Sequence, residues 1–279
     1  MRNYFCGWYF RCQSDHQTLA VIPSVHKTEN TRSCAIQLIT DSGAYRIPFP
    51  DCDCKKDGKE IVIADNRFGR TGIQLNIQTP ECHANGILRF GSLTPIHYDI
   101  MGPFRYVPVL QCRHSVYSMR HTVDGEITIN DTRYLFHNAV GYIEGDRGFS
   151  FPKEYLWTQC SFPEGALMLS VADIPLGIVR FTGVIGIVLL NGKEYRLATY
   201  LGGKAVKLSR EAIIIRQKGF ELTVIPREIS GHSLWAPLGG AMNRTINEHP
   251  SCSMYYRFTK DGVPLLELDA EKAAFEYEY

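Results

Sequence analysis

Apolar and polar residues alternate along many short stretches of this chain. The alternation is clearest in four segments: CAIQLIT (34–40), GIQLNIQ (72–78), EITIN (126–130) and FELTVI (220–225). A period of two is typical of a β-strand that buries one of its faces. Because no long window shows a helical stripe, the pattern predicts an all-β, antiparallel fold with little helix.

Asx-Gly dipeptides between the alternating segments predict hairpin turns. They are Asn191-Gly192, Asp124-Gly125, Asp261-Gly262 and Asp57-Gly58. The most apolar stretch, GALMLSVADIPLGIVRFTGVIGIVLL (165–190), contains Asp173, Pro175 and Arg180, which are unfavourable in a membrane helix. The sequence therefore predicts buried strands there and no transmembrane segment.

The chain also resembles itself. The matching pairs are GWYFRCQ (7–13) with YLWTQC (155–160), CAIQLITDSGAYRI (34–47) with GIVLLNGKEYRL (186–197), HSVYSMRHTVDGEITIN (114–130) with SCSMYYRFTKDGVPLLEL (251–268), and GYIE (141–144) with FEYEY (275–279). The pairs keep their order at offsets of roughly 135 to 150 residues, as expected for a duplication. We therefore expect two similar β-domains, residues 1–145 and 146–279.

A meander of this size usually closes on itself, and a barrel of about eight strands leaves room for one small apolar ligand. The sequence thus predicts two lipocalin-like antiparallel β-barrels packed side by side. The segment that joins them would lie at a shared cleft, which is a common position for a ligand site.

The charge of the chain is nearly balanced. Its 30 basic and 29 acidic residues leave a formal net charge of +1. This balance gives no general electrostatic attraction for nucleic acid, so we expect a hydrophobic small-molecule ligand instead. The N-terminal MRNYFCGWYFRCQSDHQ lacks the apolar core of a secretory signal, which predicts a cytoplasmic location.

The junction segment GYIEGDRGFSFPKEYLWTQC (141–160) combines acids with aromatic rings. On a continuous strand, Glu144 and Asp146 project from the same face. Repulsion and desolvation favour their protonated forms, so one of them could protonate a carbon–carbon double bond. The rings that follow, those of Phe149, Phe151, Tyr155 and Trp157, could stabilise the resulting carbocation. Alternatively, these are surface acids, and Arg147 pairs with Asp146 and keeps it ionised.

A second cluster lies upstream, in QCRHSVYSMRH (111–121). Cys112, His114 and His121 could bind a metal ion, but a second paired spacing is missing. His114 is the better candidate for a general base or for a group that orients a hydroxyl. Phosphate loops, dinucleotide-binding loops, the serine-hydrolase elbow and the HExxH motif are absent from the sequence. We therefore expect neither a metal nor a cofactor.

The junction segment resembles the tocopherol cyclase family. The positions that follow the family's pattern are Gly141, Tyr142, Glu144, Asp146, Gly148, Ser150, Phe151, Pro152, Trp157 and Gln159, and LWAPLGGAM (234–242) resembles a C-terminal family element. The resemblance implies two lipocalin-like domains, a fold shared with carotenoid hydratases. It also implies acid-initiated addition of an oxygen nucleophile across a prenyl double bond, without a cofactor. Arg147 and Tyr155 depart from the pattern, since the family usually has Trp at both positions.

Two hypotheses follow. In the first, the protein is a tocopherol cyclase-like enzyme that closes a chromanol-type ring on an isoprenoid lipid. Its catalytic residues would be Asp146 as proton donor, Glu144, His114 and Tyr142, and its substrate-binding residues Trp157, Tyr155, Phe151, Gln159 and Arg147. In the second, the protein is a lipocalin-like carrier that binds a prenyl quinone, carotenoid or related lipid unchanged. In either case, uptake of a lipid could involve peripheral contact with a membrane. A third and weaker alternative is a structural or protein-interaction role, with the rings buried in the barrel core.

Overall fold

The computed structural model describes residues 3–29, 31–49, 54–56, 59–176, 179–228 and 231–279, with the backbone alone described at residues 56, 176 and 179. The predicted turn at Asp57-Gly58 lies outside these ranges. Nearly all regular structure in them is β-strand, and the 3-10 helices are short: Gly102–Tyr106 and Thr199–Leu201. No helix in the described part of the chain is long and apolar enough to cross a bilayer.

The chain forms two compact units that are not continuous in sequence. Unit 1 contains Met1–Ile96, Cys112–Phe151 and Leu234–Thr245, and unit 2 contains His97–Gln111, Pro152–Ser233 and Ile246–Tyr279. The expected division near residue 145 stays a prediction.

The first sheet belongs to unit 1 and has eleven strands. They are β1 (Tyr4–Gln13), β2 (Thr18–Lys27), β3 (Arg32–Thr40), β4 (Ala44–Phe49), β5 (Cys54–Lys56), β6 (Glu60–Ile63), β7 (Asn66–Gly69), β8 (Gly72–Gln78), β9 (His83–Phe90), β10 (Cys112–Ile129) and β11 (Thr132–Gly148). Their order is β4-β3-β2-β1-β11-β10-β9-β8-β7-β6-β5. The pairs within this sheet are antiparallel.

This sheet curls around one apolar core. Phe10 of β1 packs against Phe68 of β7 and Phe90 of β9, with ring centroids 6.4 and 5.9 Å apart. Since β7 lies five places from β1 in the sheet, these contacts require strong curvature. The same face of β11 contributes the buried Ile143.

Both edge strands of the second sheet belong to unit 2. Its strands are β12 (Tyr155–Phe162), β13 (Gly165–Leu176), β14 (Val179–Leu190), β15 (Lys193–Ala198), β16 (Lys204–Leu208), β17 (Ile213–Gln217), β18 (Phe220–Glu228), β20 (Ala241–Lys260) and β21 (Val263–Tyr277), with β19 (His232–Leu238) paired to β20. Their order is β15-β14-β13-β12-β21-β20-β18-β17-β16. Tyr195 of β15 packs against Phe258 of β20, with ring centroids 5.4 Å apart, so this sheet also curls around its own core.

The two sheets share one connectivity. In each sheet, the first strand lies in the middle and begins a meander of four strands that runs to one edge. The last strand of the sheet pairs with the first strand on its other side. The predicted fold class, two lipocalin-like all-β domains, is confirmed. The predicted turns at Asn191-Gly192 and Asp261-Gly262 join β14 to β15 and β20 to β21. The predicted turn at Asp124-Gly125 is wrong: both residues lie within β10, where the register shifts between Val123 and Gly125.

Candidate functional site

The acidic junction residues lie on one long strand. β11 continues to Gly148, so Tyr142, Glu144 and Asp146 alternate with Ile143 and Gly145 along it. Ile143 belongs to the apolar core of unit 1. Tyr142, Glu144 and Asp146 therefore project from the opposite face of the sheet. Tyr142 and Glu144 are buried there, and Asp146 is partly exposed.

His114 joins the two carboxylates. The register of β10 with β11 places His114 directly opposite Asp146. The Nδ1 atom of His114 is 3.1 Å from Oδ1 of Asp146, and its Nε2 atom is 3.2 Å from Oε2 of Glu144. The contact with Asp146 is a hydrogen bond. The contact with Glu144 is an ion pair that is not aligned as a hydrogen bond.

Two further donors complete this group. The hydroxyl of Tyr142 donates to Oε2 of Glu144 over 2.6 Å, and the thiol of Cys112 donates to Oδ1 of Asp146 over 3.3 Å. We call these five residues, Cys112, His114, Tyr142, Glu144 and Asp146, the carboxylate–histidine network.

The network fixes where protons are held. Burial alone would lower the pKa of His114, but the charges of Glu144 and Asp146 outweigh it and raise the pKa well above its ordinary value. Burial, and then the charge of Glu144, raises the pKa of Tyr142. Burial, and then the charge of Asp146, raises the pKa of the Cys112 thiol. At neutral pH, His114 is therefore an imidazolium, and Tyr142 and Cys112 keep their protons.

A buried arginine lies beside the network. Arg11 of β1 is opposite Tyr142 in the register, so it is diagonal to Glu144 on the same face. Its Nη1 atom donates to Oε1 of Gln13 over 2.7 Å. The positive charge of Arg11 offsets the excess negative charge that two carboxylates and one imidazolium leave.

A group of one histidine and two carboxylates could also bind a metal ion. The potential ligand atoms of His114, Glu144 and Asp146 lie within 4.8 Å of one another. However, each imidazole nitrogen faces a carboxylate, which favours a protonated ring, whereas a metal ligand must offer an unprotonated nitrogen. His121 is used elsewhere: its Nδ1 atom is 3.1 Å from Oγ of Ser118, and its ring packs on Phe90.

Arg147 does not pair with Asp146 through its side chain, because adjacent strand residues project from opposite faces. It is exposed on the face opposite the network. The partners of Asp146 are instead His114 and Cys112. The departure from the family pattern at residue 147 therefore places no charge among the acids.

The remaining predicted residues are divided between the units. Phe151 lies in unit 1, where its ring contacts that of Phe5 edge-on at 5.4 Å. Tyr155, Trp157 and Gln159 lie in unit 2 on β12 and are buried. Within unit 2, the hydroxyl of Tyr155 donates to Oε2 of Glu276 over 2.6 Å.

Glu276 occupies the position in the second sheet that Glu144 has in the first. Glu144 is opposite Tyr9 of the first strand, and Glu276 is opposite Trp157 of the corresponding strand β12. Each of these carboxylates accepts a hydrogen bond from a tyrosine hydroxyl. The sequence match of GYIE with FEYEY placed an acidic residue in this region, but it aligns Glu144 with Glu278 and so did not identify Glu276. The alternating sequence pattern could not show that Arg11 lies near the network, because this proximity depends on the pairing of β1 with β11.

No protein-family model matches the chain, and no curated protein matches it. Solved structures do resemble it. A protein assigned as AttH from Nitrosomonas europaea is 12% identical, with a TM-score of 0.55 over 100% of this chain and 93% of that one. CghA with Sch210972 and a second structure of CghA are each 9% identical, with TM-scores of 0.63 and 0.60 over 99% of this chain and 88% of theirs. At these identities the similarity shows the fold alone, a lipocalin-like fold.

Proposed function

We propose that the protein is a cofactor-independent acid catalyst. It adds a phenolic or hydroxyl oxygen across a prenyl double bond of an isoprenoid lipid, as in chromanol ring closure. The observation that carries the proposal is the carboxylate–histidine network. In it, an imidazolium lies between two carboxylates on the face of β11 that is opposite the apolar core. The resemblance of residues 141–160 to the tocopherol cyclase family supports the substrate class.

Asp146 is the proton donor in this proposal. Its side chain is 21% exposed, against 7% for that of Glu144, so Asp146 is the more accessible carboxyl group. Both of its hydrogen bonds use Oδ1, which leaves Oδ2 to approach a substrate.

In the proposed reaction, a proton moves from His114 through Asp146 to the substrate. It passes from Nδ1 of His114 to Asp146, and Asp146 delivers it to the less substituted alkene carbon. The π bond breaks, a C–H bond forms, and a tertiary carbocation remains. The phenol oxygen then forms the new C–O bond and loses its proton to the network, where Glu144 and Tyr142 receive and orient it. No proton is consumed overall, and substrate and product are isomers.

The aromatic residues serve the cation in this proposal. Phe151, in unit 1, is the candidate for this role, because aromatic faces stabilise positive charge. Trp157 and Tyr155 stay predicted substrate-binding residues. Gln159 and Arg147 stay predicted substrate-binding residues. Arg147 lies on the face opposite the acids, so its role would be to contact a polar group of the substrate away from the reacting carbon.

Isotope labelling tests the reaction directly. Prenylated quinols are incubated with the protein in heavy water. The products are then separated by chromatography and their masses are determined by mass spectrometry. Protonation of an alkene carbon leaves one deuterium that ordinary water cannot wash out. We expect a new isomeric peak with a single retained deuterium, absent with Asp146→Asn and present with the control Asp269→Asn, which changes an exposed aspartate. An unchanged rate with Asp146→Asn would remove Asp146 from the mechanism.

A second candidate function is a lipid carrier, and the pairing of His114 favours it. An imidazolium held by two carboxylates retains its proton strongly, which opposes transfer to an alkene. CghA, which has the same fold, has been crystallised with Sch210972, so this fold accommodates a ligand. A carrier would bind prenyl quinols, measured by quenching of tryptophan fluorescence, and would leave every bound quinol unlabelled in heavy water.

A further inference from the structure

We propose that His26, together with a groove over Gly7, binds a hydroxyl group of a phenolic ligand. Both residues belong to unit 1. The proposal deepens the proposed function and rests on it for the ligand class, a prenylated hydroquinone. The hydroxyl in question is the one that remains free after ring closure, because the reacting oxygen gives its proton to the carboxylate–histidine network.

His26 lies on the same face of the first sheet as the network. It is opposite Phe5 in the register of β2 with β1, and Phe5 is opposite Gly148 of β11. Gly7, two residues after Phe5, is opposite Asp146. Residues that are opposite each other, or two apart on one strand, project from the same face, so His26 and Asp146 share a face. Their Cα atoms are about 12 Å apart, across two strand spacings and two residues.

A groove lies between these two side chains because Gly7 has no side chain. Gly7 is flanked by Ser24 of β2 and by Asp146 of β11. A Cβ atom added to Gly7 would lie 3.4 Å from the carbonyl oxygen of Pro23 and from Cβ of Ser24, and 3.9 Å from Cα of Ser24. These three nearest atoms all belong to the neighbouring strand, and Gly7 is partly exposed. The position over Gly7 is therefore open next to Asp146, the proposed proton donor.

His26 supplies a buried polar atom beside this groove. The residue is only 3% exposed, and its Nε2 atom has no hydrogen-bond partner among the described residues. Leaving such an atom unpaired costs free energy, which a hydrogen bond to a bound ligand would recover. Burial lowers the pKa of His26 to about 4, so at neutral pH the ring is neutral and Nε2 carries either a proton or a lone pair. A hydroxyl group both donates and accepts, so it pairs with Nε2 in either tautomer.

A comparison with His121 shows what distinguishes His26. His121 is also buried, its Nε2 atom also lacks a partner in the described part of the chain, and its pKa is also about 4. However, a Cβ atom added to Gly141 would lie 2.2 Å from that Nε2 atom, so the backbone of β11 packs against it. The ring of His121 also packs on Phe90, which adjoins the apolar core. The space at His121 is therefore filled, whereas His26 is diagonal to the open position over Gly7.

An aromatic ligand suits the surroundings of His26. Phe5, directly opposite His26, is buried and contacts Phe151 edge-on, with ring centroids 5.4 Å apart. Aromatic rings favour edge-on and offset contacts with further rings. A hydroquinone places such a ring between two hydroxyl groups. With one hydroxyl at His26 and the ring in the groove, the other hydroxyl and the prenyl chain face Asp146.

A ligand with and without the free hydroxyl tests the proposal. The probes are a prenylated hydroquinone and the matching prenylated phenol, which keeps only the hydroxyl next to the prenyl chain. Quenching of tryptophan fluorescence under nitrogen measures both dissociation constants. We expect the hydroquinone to bind the original chain about tenfold more tightly, which corresponds to one neutral hydrogen bond. His26→Leu should remove this preference, and the matched control His121→Leu should keep it.

Nitrogen NMR of the original chain, with isotope-labelled histidine, decides the question even if His26→Leu does not fold. The hydroquinone should shift the Nε2 resonance of His26, and the phenol should leave it in place. A bound hydroquinone that does not move this resonance would assign the partner of Nε2 to an internal water or to nothing, and would overturn the proposal. A hydroxyl preference that survives in His26→Leu, equal affinities in the original chain, or absence of hydroquinone binding would overturn it as well.

The result is separable from the catalytic proposal. A hydroxyl preference that depends on His26, without deuterium incorporation, would leave this binding site and remove the enzyme hypothesis. Deuterium incorporation without the hydroxyl preference would do the reverse.

Discussion

The hydroxyl of Tyr142 donates a 2.6 Å hydrogen bond to Oε2 of Glu144, two residues further along the same strand. Both residues are buried on the face of β11 that is opposite the apolar core. A buried carboxylate is costly unless donors surround it, so this bond, together with the ion pair to His114, explains how Glu144 is tolerated there.

Removing that hydroxyl should destabilise the protein. Tyr142→Phe keeps the ring but leaves Glu144 short of one donor, which should lower the free energy of unfolding by about 1–3 kcal/mol. Urea denaturation at neutral pH measures the change. Tyr106→Phe, at an exposed tyrosine, is the control and should match the original chain. An equal stability for Tyr142→Phe would mean that another donor replaces the hydroxyl.

The ion pairs of His114 should make stability depend on pH. Because the pKa of His114 is raised in the folded protein, the folded state binds its proton more tightly than the unfolded state. The resulting stabilisation is complete below the unfolded pKa of about 6.5 and is lost as the pH rises through the raised pKa.

Denaturation of the protein and of its His114→Gln variant at pH 6 and above measures this effect as a difference between two free energies of unfolding. The free-energy gap between the original chain and His114→Gln should be largest at pH 6 and shrink at alkaline pH. His137→Gln, which changes an exposed histidine, should show no such trend. A gap that widened with pH would contradict a protonated His114.

Local patterns were sufficient to predict much of this fold. Alternation of Ile73, Leu75 and Ile77 predicted a strand, and all three are buried on one face of β8. The internal matches predicted a repeat, and the two sheets have the same connectivity. The error at Asp124-Gly125 arose because a glycine with positive φ also fits a register shift inside a long strand, and Gly125 has a φ of 127°.

The candidate site was predictable only in part. Alternation placed Glu144 and Asp146 on one face, but it could not identify their partners. His114 is 32 residues from Asp146 in sequence, and only the pairing of β10 with β11 brings them within hydrogen-bond distance. Arg147 was the obvious partner by proximity in sequence, and strand geometry turns its side chain to the other face. Cys112 was considered as a metal ligand, whereas its thiol donates to Asp146.

Gly141 is required by its close approach to His121. A Cβ atom at residue 141 would lie 2.2 Å from Nε2 of His121, which is buried. Gly141→Ala should therefore cost about 1–3 kcal/mol through overpacking. In a background with His121→Ser, which removes the ring, the same substitution should cost much less. Gly43→Ala, where the added Cβ meets open space, is the control. Equal costs in both backgrounds would show that the ring is not the obstacle.

His121 should also make the protein sensitive to acid. Burial lowers its pKa to about 4, so the unfolded chain binds its proton more readily than the folded one. Its contribution is constant above pH 6.5 and declines as the pH falls from 6.5 towards 4, by up to about 3 kcal/mol. His26 is also buried with a pKa of about 4 and should add a similar decline. Thermal unfolding of His121→Gln between pH 7 and pH 4 should show a shallower decline than the original chain, and an equal slope would mean that His121 is protonated without unfolding.

Arg196 should be a major stabilising residue of unit 2. Its side chain and that of Glu194 are each 5% exposed, and Nη2 of Arg196 donates to Oε1 of Glu194 over 2.8 Å. The guanidinium also lies 3.6 Å from the ring centroid of Tyr98 and donates to the carbonyls of Tyr98 and Asp99. These contacts fix the segment 97–111, which precedes β10 in the chain, onto unit 2.

Arg196→Met should lower the free energy of unfolding by about 3–5 kcal/mol, because the buried carboxylate of Glu194 loses its closer ion-pair partner and keeps only the more distant contact with His97. The double variant with Glu194→Gln should recover part of that loss, since no unpaired charge remains. Arg216→Met is the matched control, because Arg216 pairs with Glu221 at an exposed site where an ion pair contributes about 1 kcal/mol or less. Chemical denaturation followed by circular dichroism compares the four chains. If the double variant were no more stable than Arg196→Met alone, the loss would come from the contacts with Tyr98 and Asp99 and not from the buried charge.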